Sequence, residues 1–506
     1  QHKEEKVRHI AFEAQLNLAP QHLKADLLKP ALSQLPEALK NQLTGPSTEI
    51  LAELERLFAY PDANHHTMLV ALYRAAVIFV NLHSAMIELM KTLPFKPGYF
   101  KGIRHLFKAA EFRQDALMFA ILTYRFETTP PFFRHDWDYA YVADKGNLRP
   151  SKELKKADSS LAYSNKTQSY FRKRCWRSIR RLGDANSPDY VPLAAAILMQ
   201  MSDDDQGQEQ SGEVYLYDDN WSRQLVAANE YGLYANFLSF NHIIYHNSPH
   251  YQLGKSGKAW LKLGQENHQR RTEAYPHLWD QQLDEVENLL THNHCEPVHR
   301  FCCRIAQDHL DHFATLQPQT LSVWLNQPYV CTQQLAFTLS KAQLEHTFYG
   351  DILLGLLRSK DESARQYAMD YLQSHSQWRN NYIFIAELCL IEQTDIQTWR
   401  LKALSGLQFG LDEQCKMLET LIEQALKHLD NQDFVISPAQ LAAISQLIRE
   451  KLAHGCQHVT DDAIEPLLAI HQEAYQFIGA LIVQLQPRAF ADIPTGLFNK
   501  LSHSPY

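Results

Sequence analysis

LSVWLNQPYVCTQQLAFTLS (321–340) and DILLGLLRSKDESARQYAMDYLQS (351–374) follow one design: a Leu-rich helix, a polar turn, then a second helix with Gln or Arg ahead of a small residue. Gln333-Gln334-Leu335-Ala336 and Arg365-Gln366-Tyr367-Ala368 fall in register, the Ala allowing close helix approach. Carried outward, the Leu positions align as Leu290, Leu325, Leu357 and Ile391, at separations of 35, 32 and 34 residues. One helix pair cannot bury its own apolar face, so repetition at this period predicts pairs stacked into a solenoid.

The signatures of tetratricopeptide and ankyrin repeats are both missing, which leaves HEAT-like pairs as the residual choice. Helical periodicity extends over most of the chain, for example 50–58, 68–89 and 401–426. The expected class is therefore all-α, a HEAT-like α-solenoid of stacked helix pairs with long loop insertions. Those insertions are 130–166, 202–221 and 245–280, rich in Asp, Asn, Ser, Gly and Tyr, and they are candidate binding surfaces. The strand-like EVYLY (213–217) is too short to anchor a sheet without partners. We divide the chain into an N-terminal helical region (1–129), a helical region with a basic helix and the insertions (130–284), and a repeat array (285–506). Residues 497–506 resemble the opening of the repeat at 321–329, which predicts further repeats beyond 506, and a separate domain is expected before Gln1.

The chain has 506 residues, 45% hydrophobic and 21% charged, with 49 Lys and Arg against 57 Asp and Glu. That balance excludes wholesale disorder and a globally basic nucleic-acid coat, though not a local basic face. Eight cysteines lie mostly inside apolar periodic segments and read as reduced core thiols of a cytoplasmic protein. The most apolar stretch, 68–86, is interrupted by Arg74, Asn81 and His83, short of the roughly 18 uninterrupted residues of a span, so no membrane partner is expected.

The strongest charge feature is KTQSYFRKRCWRSIRRLG (166–183), with seven basic residues and no acidic one. As a helix it puts Phe171, Cys175, Ile179 and Leu182 on an apolar stripe, with Gly183 as a C′ residue. Lys173, Arg174, Arg177, Arg180 and Arg181 are the candidate nucleic-acid-binding residues, because cations at one-turn spacing can follow a phosphate backbone. Trp176, with Tyr170 and Tyr163 nearby, can pack or stack on a base. The other reading is that these cations complement the helix C-terminus and pair with acidic loops such as Asp203-Asp204-Asp205.

THNHCEPVHRFCC (291–303) gathers His292, His294, Cys295, His299, Cys302 and Cys303. Glu296-Pro297 looks like a helix start, after which His299, Cys302 and Cys303 share a face that could hold zinc; it fits a buried repeat stripe better, and no C-x-x-C is present. Gly254-Lys255-Ser256 mimics the end of a phosphate loop, but Pro249 stands where the first Gly belongs. Neither catalytic residues nor a cofactor or metal site is assigned.

YFKGIRHLFKAAEFRQDALMFAILTYRFE (99–127), SYFRKRCWRSIRRLGDANSPDYVPLAAAILM (169–199), SFNHIIYHNSPHY (239–251) and CEPVHRF (295–301) together resemble bacterial HEAT-like repeat proteins of the molybdate-metabolism-regulator type, often associated with WGR domains. The resemblance spans about 99–405 and implies that the basic helix and the FNH segment belong to the family's core. Asn241, His242, Asn247, Ser248 and Pro249 would then fix a turn. WGR domains in other contexts bind nucleic acid ends, and none is visible in these residues. Three functions follow as expectations: a non-catalytic recognition scaffold for DNA or RNA, a protein–protein scaffold in a multi-component bacterial system, and a HEAT-like glycosylase-type enzyme. The last would need a carboxylate beside aromatics in a basic cleft, with Asp136–Trp137 and Asp138–Tyr139 as candidates.

Overall fold

A computed structural model describes residues 2–455 except 61, 63, 134, 136, 143–145, 150–162, 209, 218–221, 254–258, 262–269 and 430–436. Asp136, the 254–256 segment and the repeat expected at 497–506 lie outside the described residues. The chain is mostly helical and forms two compact units, 1–308 and 309–506.

The first unit holds α1 (His2–Leu18), α2 (Gln21–Leu32), α3 (Glu37–Lys40), α4 (Ser47–Leu57), α5 (His65–Ala75), α6 (Val80–Thr92), α7 (Phe100–Arg113) and α8 (Ala116–Thr128). It continues with α9 (Asn165–Asp184), α10 (Tyr190–Met199), α11 (Leu238–Tyr245), α12 (Pro276–Trp279), α13 (Leu283–His292) and α14 (Glu296–Asp308). Alternate helices pack: α4 on α6, α6 on α8, α8 on α10 and α10 on α13, while α2 packs on α5 and α5 on α7. Its centre is an aromatic cluster in which Phe126 stacks on Phe171 (ring centroids 4.6 Å apart) and Phe107 meets Phe126 edge-on at 5.3 Å.

The second unit holds α15 (Leu310–Phe313), α16 (Pro318–Leu325), α17 (Val330–Leu344), α18 (Gly350–Arg358), α19 (Glu362–Ser374), α20 (Tyr382–Cys389), α21 (Gln397–Ser405), α22 (Leu411–Leu429) and α23 (Pro438–Lys451). Here α16 packs on α17 and α18, α18 on α19 and α20, and α20 on α22.

The periodic Gln and Arg positions have a physical role. Gln333 Nε2 donates to the Gln327 carbonyl at 2.7 Å, and Arg365 Nη1 to the Ser359 carbonyl at 2.7 Å, each closing the end of the helix before its own. In the first unit His299 Nε2 makes the same bond to the Asn293 carbonyl at 2.9 Å. In all three the span is six residues. The buried Arg400 acts over a longer span, donating to the Ile391 carbonyl at 2.5 Å and the Ala439 carbonyl at 2.9 Å. Helix C-termini leave carbonyls without intrahelical partners, and each such bond contributes about 1 kcal/mol. Three residues beyond these groups, Cys302, Ala336 and Ala368 are fully buried, as close helix approach requires.

In and next to the insertions the described residues form three antiparallel strand pairs: β1 (Ala140–Val142) with β2 (Gly146–Leu148), β3 (Gln210–Tyr217) with β4 (Arg223–Tyr231), which follows the second insertion, and β5 (Tyr251–Leu253) with β6 (Ala259–Leu261). EVYLY therefore does find a partner, β4, in a register from Gln210 opposite Tyr231 to Tyr217 opposite Arg223, with a bulge between Val214 and Tyr215. RQLVAANEY lacks clean alternation, which hid that partner in the sequence.

Helix α9 begins with a capping box: Ser164 Oγ accepts from Thr167 N (3.3 Å), and Thr167 Oγ1 from Ser164 N (2.5 Å). Of the expected stripe, Phe171, Cys175 and Ile179 are fully buried and Leu182 is half-buried. Gly183 is not a C′ residue but lies inside the helix, where an added Cβ would sit 2.0–2.4 Å from the Tyr275 ring. That ring cannot swing away freely, because Tyr275 Oη donates to Asp184 Oδ1 at 2.6 Å. Gly183→Ala is thus expected to lower stability by about 1–3 kcal/mol through overpacking, despite a helix-propensity gain of about 1 kcal/mol. In a Tyr275→Ser background the same change should stabilise; thermal melts of the four chains check the sign.

Candidate nucleic-acid interface

The cations of α9 divide by face. Arg172 forms an ion pair with Glu127 of α8, a nearly fully buried carboxylate whose other oxygen accepts from Ser239 N at 3.3 Å. Burial pushes the Glu127 carboxyl up, against the pull of Arg172. Arg172 also donates to the Asn236 carbonyl. Arg174 is turned inward too, with Nη2 at 2.5 Å and Nε at 3.0 Å from Glu111 Oε2 of α7, and Nη1 donating to Tyr170 Oη at 3.0 Å. Ser178 Oγ donates to the second Glu111 oxygen. These two arginines hold α9 onto α7 and α8.

Lys173, Arg177 and Arg181 follow one another at i, i+4, i+8 on the outer side, with about 6 Å of rise between neighbours. Arg177 and Arg181 are exposed and Lys173 is half-buried. Arg177 Nε donates to the Lys173 carbonyl at 3.1 Å, and none of the three forms an ion pair among the described residues. Lys166, also exposed, extends the row by two turns. Arg180 sits to one side, 3.3 Å from Asp184 Oδ2 and with its guanidinium 5.8 Å from the Trp176 ring centre.

Trp176 is half-buried rather than an open platform: the His242 ring meets it edge-on at 6.1 Å. Tyr163 is fully buried and donates to the Phe126 carbonyl at 2.7 Å, so it belongs to the core. Beside Trp176, His242 lies 4.7 Å from His246, and Tyr275 is 6.4 Å from His242. Burial, then the neighbouring His246 and Arg180, pull His242 down to about 3, so its ring is neutral at physiological pH. Tyr275 holds φ at 53°, a left-handed conformation costly for an aromatic residue. Its bond to Asp184 and its packing on Gly183 hold it there.

Of the residues expected to fix a turn, Asn241 and His242 lie inside α11 instead, while Asn247 and Ser248 follow that helix. Asn241 Nδ2 donates to the Tyr234 and Phe237 carbonyls, both at 2.7 Å, and Asn247 Nδ2 to the Glu273 carbonyl at 2.6 Å. Asp203-Asp204-Asp205 do not meet α9's cations in any ion pair among the described residues. Asp205 accepts from Tyr124 Oη at 2.6 Å and Asp203 from Glu296 N at 2.8 Å. Glu296-Pro297 does open a helix, in which His299, Cys302 and Cys303 are buried. Burial pulls His299 down to about 4, while its bond to the Asn293 carbonyl opposes that shift. Among the described residues no group of three His, Cys, Asp or Glu could hold a metal ion. Asp138 Oδ2 accepts from His135 N at 3.0 Å, which uses that carboxylate to close its own turn.

The inward fate of Arg172 and Arg174 was not readable from α9 alone, since it depends on two glutamates some 45 and 63 residues earlier. The His242–His246 pair was signalled by its i, i+4 spacing, which puts both rings on one helical face. No family model, no curated protein and no solved structure matches the chain.

Proposed function

We propose that the protein is a non-catalytic, cytoplasmic recognition scaffold of HEAT-like helix pairs that binds nucleic acid through the outer face of α9. The observation that carries this reading is the separation of charge on that helix. Arg172 and Arg174 are neutralised against Glu127 and Glu111 of the neighbouring helices, whereas Lys173, Arg177 and Arg181 line up without acidic partners among the described residues. A solvated cation row at one-turn spacing in a chain of net charge −8 is a local device for holding phosphates. The alternate-helix packing and the repeated end-closing bonds within each unit support a stack of helix pairs. Among the described residues no helix is long and apolar enough to cross a membrane. The buried thiols support a reducing compartment: burial raises Cys295 and Cys389 to about 12, leaving them inert.

Fluorescence anisotropy with short oligonucleotides at about 50 and 200 mM salt tests the reading. Binding should weaken with a log–log slope of roughly −3, as about three phosphate contacts require. Lys173→Glu, Arg177→Glu and Arg181→Glu together should abolish it, and no binding of the unaltered chain at the lower salt would overturn it. A protein-binding scaffold is the second reading, favoured by the exposed Val323, Val330, Ile383 and Leu411 of the second unit.

A further inference from the structure

The segment between α8 and β1 holds large aromatic side chains in solvent. Trp137 is 74% exposed and Tyr139 71%, and Phe132 is also exposed. The segment is pinned to the beginning of α9, where Phe132 N donates to the Tyr163 carbonyl at 2.7 Å and Phe133 bridges to Ser164 with its own ring buried. From Phe133 to Trp137 the chain reaches at most about 14 Å, which bounds the distance of Trp137 from the bridge to Ser164, two residues before Lys166.

The turn is internally closed. The His135 ring stacks flat on Trp137, with centroids 5.1 Å apart and planes 2° from parallel. Asp138 N donates to the His135 carbonyl at 3.2 Å, and the Asp138 carboxylate caps the His135 amide. The stacked imidazole limits the freedom of the Trp137 ring while most of its surface stays in water. Single exposed apolar residues are ordinary on a protein surface. Two exposed aromatic rings two residues apart, tied to a helix that carries cations without an ion pair among the described residues, are a more specific combination. Flat rings beside a phosphate-holding row are the elements of a single-strand site: every base offers a π-face, but only an unpaired base can present it to a side chain.

We propose that Trp137, Tyr139 and the outer face of α9 form one site for single-stranded nucleic acid. Trp137 and Tyr139 stack on unpaired bases while Lys173, Arg177 and Arg181 hold the phosphates. The proposal rests on the nucleic-acid reading above and adds the strand state of the ligand.

The test uses the full chain and a labelled oligothymidylate of about 12 nucleotides, within the site sizes known for single-strand binders, beside a duplex of equal length. The single strand should bind more tightly. Trp137→Ala with Tyr139→Ala should weaken its binding about tenfold or more and leave duplex binding unchanged, since stacking on one base alone accounts for such a factor. Both side chains are exposed, so the variant should keep its circular dichroism. The triple charge reversal should weaken both ligands. If the alanine pair leaves single-strand binding intact while the charge reversals weaken it, the stacking site is wrong and the cation row stands. Failure of the unaltered chain to bind either oligonucleotide would overturn both.

Discussion

Arg172→Ala should destabilise the 1–308 unit by about 3–5 kcal/mol, the usual cost of leaving a buried charge without its partner. Glu127 is the reason. Its side chain is 3% exposed, and among the described residues its other hydrogen bonds come from backbone amides such as Ser239 N. Hydrogen exchange of α8 and α9 amides under increasing urea reads the loss. Because burial already lifts the Glu127 carboxyl, removing Arg172 should let it take up a proton, so the deficit should shrink between pH 7 and pH 5. Arg172→Met with Glu127→Leu should cost less than Arg172→Ala alone, since no charge is stranded. Arg177→Ala, on the outer face of the same helix, should change stability by less than about 0.5 kcal/mol. Equal losses for Arg172 and Arg177 would contradict the division of α9 into a structural and a ligand-facing side.

The second large effect is loss of stability in mild acid. His242 and His299 are held neutral in the folded chain, at about 3 and about 4, against an ordinary 6.5. Once unfolded, both rings take up protons as pH falls through about 6.5, while the folded protein does not. Their contribution is therefore fully present above that value and is lost as pH drops below it. Each histidine costs about 1.4 kcal/mol per pH unit, or about 4 kcal/mol for the two together at pH 5. Urea midpoints at pH 7.5, 6.5 and 5 measure the slope. His242→Phe should reduce it, and so should His299→Gln, which keeps a donor for the Asn293 carbonyl, by a similar amount. A slope unchanged in both variants would place the acid sensitivity elsewhere.

Much of this architecture was legible because its causes are local. The stripe Phe171, Cys175, Ile179 appears as spacing alone, and the core buries those three residues. The recurrence of Gln333 and Arg365 before Ala336 and Ala368 was visible as a pattern, while its cause, a side chain closing the preceding helix, needed coordinates. Pairings over long separations were hidden. Nothing around Glu111 or Glu127 marks them as partners of Arg174 and Arg172, and Gly183 read as a helix terminator because Tyr275, 92 residues on, was unseen. The hairpin of β3 and β4 was missed for the same reason: one strand looked isolated until its neighbour was placed.

The six-residue bonds from His299, Gln333 and Arg365 bear on how such a chain can change length. Each bond lies wholly within one helix pair, so in these three pairs the second helix closes the end of the first, while the end of α17 is closed from the next pair by Tyr371 Oη on the Leu344 carbonyl at 3.2 Å. Duplicating or excising a whole pair keeps each six-residue closing bond intact, whereas a cut inside the short turn exposes carbonyls on one side and a purposeless Gln, His or Arg on the other. Insertions and deletions among related chains should therefore come in steps of a full pair, about 32 to 35 residues, with the turns themselves constant in length.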